Sequence, residues 1–198
     1  MGNKPTTTRN GPQSRSLTAD QRQIIQEQWT KMLKRYPKLF THTWLNVVER
    51  NPTIRETFNL TDDQKPIENQ SFVRLTMSVE AFFHRLITTI ALREDEMIEE
   101  CRALGARHSD YTARGFHAHY WDVFLICLVK NVNEIELGLS DKKRLKFVFA
   151  WNKLIQSVVD EMRRGYIDRQ KQLAIGAPYM GDEAVEQQRL ALTSSRSC

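Results

Sequence analysis

Residues 69–90 read NQSFVRLTMSVEAFFHRLITTI, with apolar side chains at Phe72, Leu75, Val79, Phe82, Phe83, Leu86 and Ile90. The steps are threes and fours, the spacing that lines one face of an α-helix. Working outward, the same period recurs on both sides. Upstream, Thr18 followed by Gln21 forms a capping-box pattern with Leu17 before it, and Ile24, Ile25, Gln28, Trp29, Met32 and Leu33 follow at helical spacing. A second helix restarts near Pro37, with Leu39, Phe40, Trp44, Val47 and Val48 on one side. Asn51-Pro52 is a cap followed by proline at the first helical position, leading to Ile54 and Phe58. The polar stretch 59–68 reads as a loop. Downstream, a helix from about Glu94 carries Met97, Cys101, Leu104 and His108 on one stripe. After a break at 109–115 comes a helix with Tyr120, Val123, Phe124, Cys127 and Leu128. Gly138 and Ser140 precede a long last helix bearing Leu145, Val148, Trp151, Leu154, Ile155, Val158 and Met162. No stretch alternates with period two. The expectation is one all-α domain of about seven or eight helices, packed ridge into groove.

The chain has 198 residues, of which 40% are hydrophobic and 27% charged, which suits neither a membrane bundle nor a disordered acidic tail. Its net charge of +5 is unevenly placed. Residues 1–16 carry Lys4, Arg9 and Arg15 and no acid, and 171–198 cancel, so the block 17–170 keeps only +2. A broad nucleic-acid face is therefore not expected, and no basic cluster interleaves with aromatics. Cys101, Cys127 and Cys198 form no disulfide framework, which favours a reduced, cytoplasmic setting. No CxxC or HExxH marks a structural zinc site. The longest apolar run, VFLICLV at 123–129, is too short to span a bilayer, and the N-terminus has no signal-peptide core. The expected organisation is a basic extension 1–16 without a core of its own, a domain 17–168 and a C-terminal extension 169–198. Residues 182–192 of that extension have a helix-like pattern.

Four segments in order carry a family resemblance. They are Trp29 late in the first helix, NPTIRETF at 51–58, LGARHSDY at 104–111 and AWNKLIQSVVDEMRRGY at 150–166. Together they resemble the globins, above all neuroglobin-like and nematode intracellular globins, over about 17–167. The resemblance implies a globin fold around haem b. It makes His108 the iron ligand and places Phe58 against the haem. Haem is a large apolar disc whose burial is driven by removing its surface from water. Phe58, Val79, Leu86 and Leu104 are suitable lining residues, with Phe116 a wall where the chain leaves the proximal helix. The proximal imidazole must be neutral, and a carbonyl one turn earlier, near Leu104, is the expected acceptor for its second nitrogen.

The distal side departs from the family. The phrase Phe72-Val73-Arg74-Leu75 puts Leu75 where a distal histidine commonly stands, with Val79 one turn on. His84 lies roughly 13 Å further along the helix and out of phase. His42 is on the opposite side of its helix from Trp44. Ferrous iron is thus expected to be five-coordinate. Trp44 is the candidate donor to a bound gas, and its indole N–H partly replaces the missing imidazole.

The resulting expectation is reversible binding of O2, CO or NO, for redox, gas-sensing or electron-transfer roles rather than bulk oxygen carriage. Two alternatives stay open. One is nitric-oxide dioxygenation or nitrite reduction with a separate reductase, since the chain has no nucleotide fingerprint. The other is a haem-free interaction module. The start, Met1-Gly2-Asn3-Lys4-Pro5-Thr6, fits an N-myristoylation pattern at Gly2. With Lys4, Arg9 and Arg15 as a second signal, the tail is expected to bring the protein to an anionic membrane at the inner face of the plasma membrane.

Overall fold

The computed structural model describes residues 16–61 and 63–176. Gly2, Lys4, Arg9, Arg15, Cys198 and residues 182–192 lie outside them. The described residues form seven α-helices and no strand: α1 (Ala19–Arg35), α2 (Leu39–Arg50), α3 (Pro52–Glu56), α4 (Gln70–His84), α5 (Glu94–Ser109), α6 (Tyr120–Asn133) and α7 (Asp141–Gly176). Local chemistry sets several boundaries. Thr18 accepts from the Gln21 N–H while the Gln21 side chain accepts from the Thr18 N–H, closing the capping box. The Asn51 side chain caps α3 ahead of Pro52, and Asn69 caps α4 by accepting from the Phe72 N–H at 3.0 Å. The 59–68 segment is more ordered than a plain loop. Pro66–Glu68 make a 3-10 turn, and Leu60 is buried.

The end of α4 departs from a regular helix. Arg85–Thr89 form a π turn, closed by the Ile90 N–H donating to the Arg85 carbonyl at 2.9 Å. Ala91 and Leu92 then take left-handed backbone angles, each with φ of 55°. That conformation costs on the order of 1–2 kcal/mol for each non-glycine residue. Burial of the Leu92 side chain offsets it.

The core is built around aromatic rings. Trp29 of α1 stacks on Trp151 of α7 at 5.8 Å, and Phe83 of α4 lies 6.1 Å from Trp151 and 5.3 Å from Phe40 of α2. The Trp29 indole N–H donates to His84 Nδ1 at 3.1 Å, which gives His84 an interhelix role. A polar tie joins α2 to α6: Asn131 donates to Thr43 Oγ1 at 2.9 Å, and Asn46 donates to Asn131 at 3.1 Å. One detail of α7 differs from its sequence reading. Leu145, expected on the buried face, is 72% exposed, and Phe147 is buried instead. The helix also runs to Gly176, eight residues past 168.

The tightest packing is between α5 and α7. A Cβ on Gly105 would stand 1.8 Å from the Met162 carbonyl oxygen, and one on Gly165 would stand 2.0 Å from the Arg102 carbonyl oxygen. Each helix therefore lays a glycine against the other's backbone. Beside this crossing the buried Glu161 receives Arg102 at 2.8 Å and Arg164 at 2.5 Å. Removing one partner of such a pair leaves an uncompensated charge, so the arrangement holds register more than it adds stability. Gly165→Ala has only backbone to displace. It should destabilise the fold by about 3 kcal/mol, lowering the thermal midpoint by roughly 6–12 °C. Circular-dichroism melting checks this, and an unchanged midpoint would contradict the close approach.

Candidate functional site

His108 sits in the last turn of α5, three residues beyond the Gly105 contact with α7. Its Nδ1 lies 2.8 Å from the Leu104 carbonyl, the acceptor expected one turn earlier. A carbonyl only accepts, so Nδ1 carries the proton and Nε2 keeps its lone pair. Burial lowers the His108 pKa. The Leu104 carbonyl pulls the other way, and Arg107 adds a smaller lowering effect. The ring is therefore a neutral imidazole of fixed tautomer, the form a metal ligand requires.

Aromatic rings surround that imidazole. Phe116 lies 5.0 Å from it, Trp121 of α6 5.4 Å and Tyr111 5.8 Å. Tyr166 of α7 closes the group, 6.0 Å from Phe116 and 5.7 Å from Trp121. Phe116 is brought back under α5 by a tight turn. Thr112–Arg114 make a 3-10 turn and Gly115 has φ of 88°, a value that disfavours any side chain there.

A second cluster stands on the same face of α6. Trp44 of α2 lies 5.2 Å from Phe124 and 6.4 Å from Phe58, and Phe58 lies 5.8 Å from Phe72 of α4. Trp121 and Phe124 are three residues apart and so share one helix face, which joins the two clusters. Thr57, next to Phe58, also lies against Gly115, next to Phe116, since a Cβ on Gly115 would meet it at 3.5 Å.

The expected lining residues are thus placed unevenly. Trp44, Phe58, Val79, Leu104 and Phe116 are half-buried apolar residues packed on the core. Leu75 is likewise half-buried, on the α4 face it shares with Val79. Leu86 is fully enclosed and lies within the π turn, past the regular part of the helix. His42 is exposed, and His84 is engaged with Trp29, so neither converges on His108. Two surface grooves lie elsewhere. One of 490 Å³ runs between α5 and α7 past Arg102 and Gly165, and one of 380 Å³ runs along α4 beside His84.

The Globin family model matches residues 41–162, from α2 well into α7. The chain belongs to the globin family. No match to a curated protein was found. The fold is accordingly the globin fold. Membership brings the general properties of that family, haem binding and association with gaseous ligands such as O2, CO and NO. The residues of this globin fit haem on two observations: the neutral, carbonyl-oriented His108, and a buried polar atom without a partner, the Trp44 indole Nε1.

Two contributors escaped the sequence reading. Trp121 packs on His108, and Tyr166 closes the far side. Trp121 had a signal, since with Phe124 and Leu128 it makes the i, i+3, i+7 stripe of α6.

The orphaned indole yields a test. A buried N–H with no acceptor contributes nothing that Phe would lose. Trp44→Phe should change folding stability of the haem-free protein by less than about 1 kcal/mol. Trp44→Ala should cost about 3 kcal/mol through lost packing. Urea unfolding distinguishes them. A loss above roughly 2 kcal/mol for Trp44→Phe would mean the N–H is already hydrogen-bonded within the fold.

Proposed function

We propose that this globin binds haem b through His108 Nε2 and reversibly binds O2, CO or NO, serving redox or gas-sensing chemistry rather than bulk oxygen carriage. The observation that carries the reading is the His108–Leu104 pair. It fixes the ring, keeps Nδ1 protonated and leaves Nε2 as the ligating nitrogen. Haem, when bound, supplies an iron with one face open to a diatomic ligand.

The protein's own residues do the rest. Phe58, Val79, Leu104 and Phe116 would offer apolar contact to haem and exclude water, with Leu75 beside Val79 on α4 and the enclosed Leu86 supporting them from the core. On the gas-binding side Leu75 and Val79 supply no hydrogen-bond donor. Trp44 is the one donor we assign there, and its indole N–H holds a polar ligand by a single hydrogen bond. An apolar pocket with one donor favours oxygen less strongly, relative to carbon monoxide, than a pocket with an imidazole donor. The tail belongs to the same proposal. Gly2 is the candidate myristoylation site, and Lys4, Arg9 and Arg15 add attraction to an anionic leaflet. Among the described residues no helix is long and apolar enough to cross a membrane.

The absorption spectrum of the reduced protein tests the coordination. A five-coordinate ferrous spectrum that converts on adding CO is expected, and a six-coordinate bis-histidyl spectrum would overturn the reading. The distal role is read separately by stopped flow. Trp44→Phe should speed oxygen release roughly three- to tenfold, the worth of one ordinary hydrogen bond, and leave CO release nearly unchanged. Equal effects on both gases would remove Trp44 from that role.

A further inference from the structure

Large apolar side chains seldom stand in the open beside one another on a helix without a partner. At the start of α7, Leu145 is 72% exposed and Phe149 is 61% exposed. They are four residues apart and so adjoin on one face. At about 100° per residue, Lys142, Lys146 and Lys153 lie roughly 40–80° to one side of the pair, and Asp141 borders its other side. An apolar pair bordered by lysines along one edge is the pattern of a helix that lies in a bilayer interface. The apolar groups enter the headgroup boundary and the ammonium groups meet anionic lipid.

Ser16 meets α7 near this place. The Lys153 ammonium donates to the Ser16 carbonyl at 2.6 Å, and the Ser16 hydroxyl donates to the Glu94 carboxylate. Ser16, the first described residue, is thus held by a lysine one turn along α7 from Phe149. Acidic neighbours are few and partly engaged. Asp141 opens the helix, Glu136 pairs with Arg144 at 3.3 Å, and Glu94 is held by Ser16.

We propose that the Leu145–Phe149 face of α7, with Lys142 and Lys146, is a docking surface for an anionic lipid bilayer. It deepens the membrane reading of the tail and rests on it for the class of surface. Docked this way, the folded domain supplies the second signal that a single acyl chain needs for stable anchoring.

The test uses the full chain made without lipidation and vesicles of phosphatidylcholine with or without phosphatidylserine, scored by co-flotation. Four proteins are compared: wild type, a tail variant (Lys4→Gln, Arg9→Gln, Arg15→Gln), and the face variants Lys142→Glu/Lys146→Glu and Phe149→Ser. All substitutions in the described residues are at exposed positions, and circular dichroism verifies the fold. The tail variant is expected to keep binding phosphatidylserine vesicles. Both face variants should lose affinity by about tenfold or more, and salt should abolish binding. Face variants that bind as wild type would overturn the docking face and leave the tail reading standing. No binding by wild type, even when myristoylated, would overturn both. A concentration-dependent dimer in sedimentation velocity, lost in Phe149→Ser with no effect on vesicles, would assign the face to a second copy and refute the proposal.

Discussion

The crossing of α5 and α7 is the contact on which the candidate site depends. Two glycines, Gly105 and Gly165, each lie against a carbonyl of the opposite helix, with no room for even a methyl group. At that distance the helices cannot slide without forcing backbone into backbone. The Arg102–Glu161–Arg164 group beside the glycines fixes the same register electrostatically. His108 follows Gly105 by three residues on the same rigid helix, so its height above α7 is set by this contact. The Leu104 carbonyl then sets the rotation of the imidazole. Position and orientation come from separate devices, one of packing and one of hydrogen bonding.

The opposite wall is assembled differently. Trp44, Phe58 and Phe72 come from three elements and meet through ring contacts, with α6 as their common floor. Ring contacts tolerate small displacements that backbone contacts do not. The side that carries His108 therefore rests on backbone contact, and the Trp44–Phe58–Phe72 side on contacts between rings. The donor we propose there, the Trp44 indole, is buried with no partner within the fold, as is the core indole of Trp151.

How much of this was legible depended on the range of the physics involved. The capping box at Thr18 and the cap at Asn51 involve residues two or three apart, and they stand where the sequence places them. The periodicity of 72–90 identified α4, but the π turn at Arg85 did not register, because it arises from closure against Leu92 and the following turn. In KFVF at 146–149 apolar side chains point to both sides, so the buried face could not be phased from that window. Packing then selected Phe147 and left Leu145 and Phe149 outside. Gly105 and Gly165 gave no local sign of importance. A glycine inside a helix reads as a weakness until the second helix, sixty residues away, is laid across it. The Leu104 carbonyl as partner of His108 was legible from the geometry of one helical turn.

The central claim is that His108, held by the Leu104 carbonyl, is the haem ligand. The most direct measurement is the ferrous absorption spectrum of His108→Gly before and after adding free imidazole. The account predicts loss of the wild-type spectrum in the variant and its return when imidazole fills the vacated space. A variant that keeps the wild-type spectrum with no imidazole present would contradict it.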